Sequence, residues 1–182
     1  MEDIAGYLLD NNIISILVTP SDRRYQGVLA NFEALGEAPV FLPVIGIAEI
    51  EFGMAKAERA NDTQRGQIRA FFRRYPNHLG IDDATVEPYA LIRVQVWREH
   101  ATAKARGHQE KVPEELLDRV SGQSLGIDER DLLIASVASQ YGLVLVTNDQ
   151  GQGMRRIEAA ALKLQADGKP VCLRVEYWPK SA

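Results

Sequence analysis

The sequence contains a single cysteine, Cys172, among its 182 residues. One thiol excludes a disulfide framework within the chain and a zinc site built from cysteines. The neighbours in Val171-Cys172-Leu173 are apolar, which predicts a thiol buried in the core. Hydrophobic residues make up 46% of the chain and charged residues 25%, so an ordinary globular core is expected.

Long hydrophobic runs are also missing. No apolar stretch approaches the ~18 residues that a membrane-spanning helix needs. The first residues, Met1-Glu2-Asp3, are acidic and lack the basic start of a signal peptide. We therefore expect a cytoplasmic protein that does not contact a membrane.

Two further signatures of catalysis are lacking. The histidines His78, His100 and His108 show no metal-ligand spacing, and we predict that they lie at the surface. The glycines are scattered and form no phosphate-binding loop. Histidine-based metal centres and nucleotide sites of the P-loop type are therefore not expected.

The chain has no excess of basic residues. Its net charge of −4 argues against a general nucleic-acid coat but leaves a nuclease open, because a bound metal would offset acidic charge locally. Arg24, Arg73 and Arg74 lie in basic clusters and are the candidate nucleic-acid contacts. In residues 69–75 arginines flank aromatic rings, a mixture that can hold phosphates and stack bases. A solvated helix face with its rings in the core explains the same pattern.

Apolar strand-like runs alternate with helical patterns along the chain, which predicts an α/β fold with a central parallel sheet. We predict one domain spanning residues 1–182. Strands are predicted at residues 5–9, 39–42, 143–147 and 171–177. Helices are predicted at residues 13–18, 23–35, 46–57, 62–75, 86–106, 114–120 and 154–166, with a further helix that Asp128 caps and Gly142 ends.

Four acidic residues lie beside strongly apolar runs, where a carboxylate loses water and needs a specific role. Asp10 and Asp149 follow predicted strands, and Glu49 and Asp131 fall in the first turns of predicted helices. In open α/β sheets the ligand crevice lies outside the carboxyl ends of the strands, so all four could meet at one edge.

Four carboxylates placed together would repel one another, and a divalent cation removes that repulsion. Mg²⁺ and Mn²⁺ prefer oxygen ligands, can lower the pKa of a bound water and can stabilise a leaving oxygen. The set therefore points to metal-dependent phosphodiester chemistry. Asn12 could orient Asp10 or the waters of the metal, and Thr147 could donate to a carboxylate or a phosphate. Both could equally be turn and strand-end residues.

Each acid also has a structural explanation when it is taken alone. Asp131 and Glu49 would gain from the dipole at a helix start, and Asp149 fits a turn. Asp10 is the hardest to explain in this way, because nothing in Leu8-Leu9-Asp10-Asn11-Asn12 requires a charge. The joint pattern favours a shared site.

At these residues the chain resembles the PIN-domain ribonucleases, specifically the VapC type of toxin in bacterial toxin–antitoxin pairs. The resemblance rests on an ordered set of motifs covering nearly the whole chain. They are Leu8-Leu9-Asp10-Asn11-Asn12, Ala48-Glu49-Ile50, Tyr89-Ala90-Leu91-Ile92-Arg93, Asp131-Leu132-Leu133-Ile134-Ala135 and Thr147-Asn148-Asp149.

Three features depart from the pattern of that family. Asn11 stands where the family usually has threonine, and Gly46 stands where threonine or serine often precedes the glutamate. Glycine at a helix start would still be a tolerated capping residue. Residues 107–123 form a longer connection than usual.

The resemblance implies a three-layer α/β/α fold, a homodimer and Mg²⁺- or Mn²⁺-dependent endonucleolytic cleavage of RNA. It also implies a cognate antitoxin that inserts a segment at the active site. Asp10 and Asp131 would be the principal metal ligands, with Glu49 and Asp149 completing the site.

Three other functions remain as alternatives. The first is a nucleic-acid or protein-binding module without chemistry, and the second is a DNA-directed nuclease of the same fold. The third is an aspartate-nucleophile phosphohydrolase, which would want an aspartate where Asn12 stands and a lysine near the late strand, where none occurs between Val144 and Arg155.

Overall fold

A computed structural model describes residues 5–57, 62–100, 112–118 and 121–179. The chain divides into two compact units. The first comprises Met1–Gly80, Leu143–Asp149 and Val175–Ala182, and the second comprises Ile81–Gly142 and Gln150–Arg174. The single domain over residues 1–182 stays a prediction.

The first unit is built on a five-stranded sheet. Its strands are β1 (Tyr7–Leu9), β2 (Val40–Pro43), β3 (His78–Leu79), β4 (Val144–Thr147) and β5 (Arg174–Tyr177), in the order β3-β2-β1-β4-β5. β1 runs parallel to both β2 and β4, and β2 runs parallel to β3. The prediction of an α/β fold with a central parallel sheet is thus confirmed.

The central strands β1 and β4 explain why the sequence there is continuously apolar. Leu8 and Leu9 are fully buried, and all residues of β4 are buried. Such runs are typical of parallel strands that are covered on both faces. Leu9 pairs with Val146, so β1 and β4 end at nearly the same level and deliver their next residues to one edge.

Among the described residues of this unit, four helices accompany the sheet. They are α1 (Asn11–Leu17), α2 (Tyr25–Glu33), α3 (Val44–Lys56) and α4 (Asp62–Arg74). Ile47, Ile50 and Met54 are spaced along one face of α3, and this face packs against the core. Phe71 and Tyr75 also pack against the core, and their ring centroids lie 4.8 Å apart. The aromatic rings of residues 69–75 are therefore part of the core packing. This agrees with the alternative explanation, in which these residues form a solvated helix face with its rings in the core.

The second unit is helical. Its helices are α5 (Val86–His100), α6 (Glu129–Tyr141) and α7 (Gln152–Ala166), with short 3-10 turns at Asp83–Thr85 and Pro113–Glu115. Asp128 caps α6 by accepting a hydrogen bond from the Arg130 backbone, and Gly142 ends the helix in the left-handed conformation, both as predicted. No helix within the described residues is both long and apolar enough to cross a membrane.

Several predicted elements need correction. β3 was not predicted, and β5 begins at Arg174 rather than at Val171. The short helix predicted at 114–120 is only the turn Pro113–Glu115, although residues 119 and 120 lie outside the described part. The predicted helix 86–106 is described only to His100. Cys172 is partly exposed rather than buried in the core.

Gly46 is not at a helix start. α3 begins at Val44 after Pro43, so Gly46 is its third residue and caps nothing. The same early start places Glu49 in the second turn of the helix. The dipole explanation for Glu49 therefore loses its basis, because that effect falls off within the first turn.

Candidate active site

The candidate site lies at the carboxyl ends of β1 and β4. The backbone N–H of Asp10 continues the ladder by donating to the carbonyl of Val146 at 2.9 Å. Asp10 then turns the chain into α1, where its carbonyl accepts from the N–H groups of Ile13 and Ile14. Asp10 thus joins a buried strand to a helix start, and its side chain is held at the sheet edge.

The Asp10 side chain is buried and well supplied with donors. Asp10 is only 5% exposed. One carboxylate oxygen, Oδ1, accepts from the backbone N–H of Asn11 at 2.6 Å. The other, Oδ2, accepts from the Asn12 amide at 2.6 Å and from the Thr147 hydroxyl at 2.7 Å. These bonds fix the orientation of the carboxylate.

Opposing effects act on the protonation of Asp10. Burial raises the pKa of its carboxyl above the ordinary value of 3.8, and the negative charge of Asp149 raises it further. The hydrogen bonds from Thr147, Asn11 and Asn12 lower the pKa but do not cancel the effect of burial. A cation beside Asp10 would favour the charged form and oppose the rise.

Asn12 and Thr147 connect Asp10 to the turn that follows β4. The Asn12 amide oxygen accepts from the backbone N–H of Asn148 at 2.7 Å. The Thr147 hydroxyl oxygen accepts from the backbone N–H of Asp149 at 3.0 Å and from the Asn12 amide at 3.0 Å. One network therefore positions Asp10 and the Asp149 backbone together.

Glu49 approaches the same edge from α3. It is half-buried, and its carboxylate oxygen Oε2 accepts a hydrogen bond from the side-chain amide of Asn11. Asn11 directly follows Asp10 and binds that carboxylate through its backbone. Asp10, Glu49, Asp149, Asn12 and Thr147 are thus all tied into one neighbourhood of the first unit.

Asp131 belongs to the second unit. It is the third residue of α6, in the first turn behind the Asp128 cap, and it is half-buried. This local placement agrees with the predicted helix start. Its membership of the four-acid set remains a prediction.

The predicted RNA contacts differ in their surroundings. Arg24 pairs with Asp22 at 2.6 Å and donates to the side-chain oxygen of Asn148 at 2.7 Å, so its guanidinium is held beside the site. Arg73 and Arg74 are exposed in the last turn of α4. The Arg74 guanidinium lies over the Tyr75 ring, 5.7 Å from its centroid.

Sequence reasoning missed the roles of Asn11 and Asn148. Both are polar residues beside a predicted acid, which was the only available signal. Asn148 donates its side-chain amide to the carbonyl of Trp178, and its side-chain oxygen accepts from Arg24. These bonds tie the turn after β4 to the segment after β5 and to Arg24. Neither of these long-range partners can be read from spacing.

The donor set suits a hard divalent cation. Asp10 and Asp149 offer carboxylate oxygens close enough to repel each other, and Mg²⁺ sites often use one or two carboxylates together with waters and substrate phosphates. Within the described ranges, no three His, Cys, Asp or Glu side chains are grouped closely enough to hold a metal ion. The residues of the first unit thus fit a metal site centred on two carboxylates, those of Asp10 and Asp149.

Comparison with known proteins gives a family match over most of the chain. The family model described as the PIN domain matches residues 7–160. Ribonuclease VapC14 from Mycobacterium tuberculosis (strain CDC 1551 / Oshkosh) is 36% identical over 66 residues. That stretch spans 36% of this chain and 62% of that relative, which is less than two thirds of its length.

Solved structures show a similar fold. VapBC2 from Rickettsia felis, bound to a DNA fragment from its promoter, superposes with a TM-score of 0.60 at 20% identity, covering 94% of this chain and 98% of that one. VapBC-5 from Mycobacterium tuberculosis, a member of the VapBC family of toxin–antitoxin systems, gives a TM-score of 0.51 at 20% identity. It covers 95% of this chain and 98% of that one. At these identities the likeness concerns the fold.

Proposed function

The chain belongs to the PIN domain family, and from this premise we propose that it is a metal-dependent endoribonuclease acting as the toxin of a toxin–antitoxin pair. The observation that carries the proposal is the buried Asp10 carboxylate, held by three donors beside the charge of Asp149. Burying a carboxylate next to a second one is unfavourable without a cation, so the arrangement favours metal binding. The relative named Ribonuclease VapC14 supports RNA as the substrate class.

The proposed ligands are Asp10, Glu49, Asp131 and Asp149, of which the Asp10–Asp149 pair is the part that the charge interaction between them supports. When bound, Mg²⁺ or Mn²⁺ would lower the pKa of a water that it holds, and its positive charge would stabilise the scissile phosphate. Asn12 and Thr147 both donate to Oδ2 of Asp10 and hold that carboxylate in one orientation. Such supporting hydrogen bonds orient metal ligands and tune their affinity.

The substrate contacts are proposed for three arginines. Arg24 is held by Asp22 and Asn148 beside the turn that carries Asp149, where its remaining N–H groups would bind a phosphate. Arg73 and Arg74 lie exposed at the end of α4 and would extend the contact along the RNA backbone. These contacts position RNA but carry no sequence information by themselves.

The partners are proposed from the similar proteins. VapBC-5 is described as a member of a family of toxin–antitoxin systems, which supports an antitoxin protein as the partner of this chain. We also propose a homodimer and action in the cytoplasm, where an RNA-cleaving toxin would meet its substrate.

The proposal is tested by incubating the purified protein with RNA and DNA oligonucleotides of the same sequence, in Mn²⁺ and in EDTA. Internal cleavage of RNA that requires Mn²⁺ is expected. Cleavage confined to DNA would replace the proposal with a DNA-directed nuclease. Binding of either strand without cleavage, by folded protein across several substrate pools, would favour the non-catalytic binding module.

A further inference from the structure

We propose that Asn11 is a positioning residue for the Glu49 carboxylate, and that Gly46 keeps open the space which the Asn11 side chain occupies. The inference deepens the proposed function and rests on it, because Glu49 is one of the proposed metal ligands. It concerns three residues of the first unit, on α1 and α3.

Asn11 contacts two of the four carboxylates that are proposed as metal ligands. Its backbone N–H donates to Oδ1 of Asp10 at 2.6 Å. Its side-chain amide donates to Oε2 of Glu49, which is 38 positions further along the chain. A single residue therefore links the acid after β1 to the acid on α3.

Gly46 lies next to the Asn11 side chain. Gly46 is buried, and it stands three positions before Glu49, so the two share one face of α3. A Cβ atom built on Gly46 would fall well inside 3.0 Å of the Asn11 side-chain oxygen, a separation that real Cβ atoms do not show. It would also come within 3.1 Å of Pro43. Any side chain at position 46 must therefore displace the Asn11 amide.

The orientation of the Asn11 amide follows from its partner. The nitrogen must face the Glu49 carboxylate, because the reversed amide would place oxygen against oxygen. The amide oxygen is consequently buried against Gly46, and it has no hydrogen-bond partner among the described residues. A buried polar atom without a partner is unfavourable, so the bond to Glu49 is the interaction that holds this side chain in place.

The arrangement makes a specific prediction about Gly46→Ala. The atom in the way is the end of a flexible side chain, so the protein can relax by moving Asn11 rather than by unfolding. Alanine also favours the helix over glycine. The substitution should therefore leave the fold intact and break the contact between Asn11 and Glu49.

The test uses three variants, which are Asn11→Ala, Gly46→Ala and the double variant that carries both substitutions. Gly53→Ala is the control. Gly53 is an exposed glycine of the same helix, and a Cβ there meets nothing within 4 Å. The readouts are the Mn²⁺ dissociation constant from EPR titration, the melting temperature in EDTA, and kcat and KM for RNA cleavage. These separate loss of metal affinity from loss of fold.

Asn11→Ala and Gly46→Ala should each weaken Mn²⁺ binding about 10-fold and lower kcat, since residues that support metal ligands typically change metal affinity by this order. The double variant should be no worse than either Asn11→Ala or Gly46→Ala. Gly53→Ala should match the wild type in Mn²⁺ affinity and in kcat, while its melting temperature should rise because alanine favours the helix. Wild-type Mn²⁺ affinity in Asn11→Ala, or additive losses in the double variant, would overturn the inference while leaving the proposed function standing. A wild-type protein that neither binds Mn²⁺ nor cleaves RNA would overturn both.

Discussion

Asp10 shows at the residue scale how function and stability oppose each other. Its folded pKa lies above the ordinary value because of burial, so in the window between the two values the folded state binds more protons than the unfolded state. The free energy of unfolding therefore falls as pH rises from 3.8 through the raised pKa. At neutral pH the buried charge of Asp10 therefore lowers the free energy of unfolding.

We predict that Asp10→Asn raises the free energy of unfolding at pH 7 in EDTA by roughly 1 kcal/mol, the usual size of a single-site effect. The gain should shrink as pH is lowered toward 3.8, because the wild-type carboxyl then becomes neutral as well. Urea unfolding at several pH values measures it. A variant that is less stable than the wild type at pH 7 would show that the three hydrogen bonds outweigh burial.

Mn²⁺ supplies the matching control for Asp10. A ligand at 100 times its dissociation constant stabilises the folded state by about 2.7 kcal/mol. The wild type should gain that stabilisation and Asp10→Asn should gain less, so metal would reverse their order.

Residues next to strand ends could be predicted from the sequence, and contacts between distant segments could not. Asp10, Asn12 and Thr147 were placed together because each follows or ends an apolar run, and the structure joins them by hydrogen bonds. Asn11 and Gly46 were visible only as two separate departures from a family pattern. Their contact depends on how α1 meets α3, which periodicity does not encode.

At the scale of elements, local signals fixed the helix ends. Asp128 precedes α6 and accepts from the Arg130 backbone at 2.8 Å. The Arg130 side chain also donates to it at 2.8 Å, and this interaction holds the pKa of Asp128 below its ordinary value. Both interactions favour the charged, capping form.

We predict that Asp128→Ala lowers the free energy of unfolding by about 1 kcal/mol at neutral pH, through loss of the cap. Because the folded pKa is lowered, the stabilisation by charge is present above 3.8 and is lost as pH falls through the lowered value. The difference between wild type and Asp128→Ala should therefore shrink in acid.

Asp128→Asn is the control for this cap, because asparagine caps helices about as well as aspartate without titrating. Near neutrality it should lose only the stabilisation that comes from the charge of Asp128 beside Arg130, and it should keep its capping advantage over alanine in acid. Urea unfolding of the three proteins across pH measures this. Equal stability of all three would contradict a capping role for Asp128.

Elements without strong local signals were missed or misplaced. β3 contains only His78 and Leu79 and follows Pro76-Asn77, so it shows neither a long apolar run nor alternation. Its pairing with β2 supplies the stabilisation that its own sequence lacks. Ala90, Val94 and Trp97 form a stripe at helical spacing on α5, and this stripe lines an open apolar groove of about 420 Å³. Periodicity identified the stripe but not whether it is covered.

At the scale of the whole molecule, the net charge of −4 limits how strongly RNA can be attracted. If only Arg24, Arg73 and Arg74 bind phosphates, the logarithm of the binding constant should fall with the logarithm of salt with a slope of about −2, from roughly −0.7 per contact on single strands. RNA binding by Asp10→Asn in EDTA, measured at several salt concentrations, gives this slope without cleavage.

The double substitution Arg73→Ala with Arg74→Ala should make that slope shallower by about 1.4. Replacing both arginines with lysine keeps the charges and should restore the slope. An unchanged slope in the alanine pair would remove these two residues from the proposed interface.

The central claim is that a metal-supported carboxylate site around Asp10 cleaves RNA. The most direct test incubates total RNA with the purified, partner-free protein in Mg²⁺ or Mn²⁺, beside EDTA and beside Asp10→Asn. We predict discrete fragments that require the metal and disappear in the variant. Fragments that persist in EDTA or in a folded Asp10→Asn protein would contradict the claim.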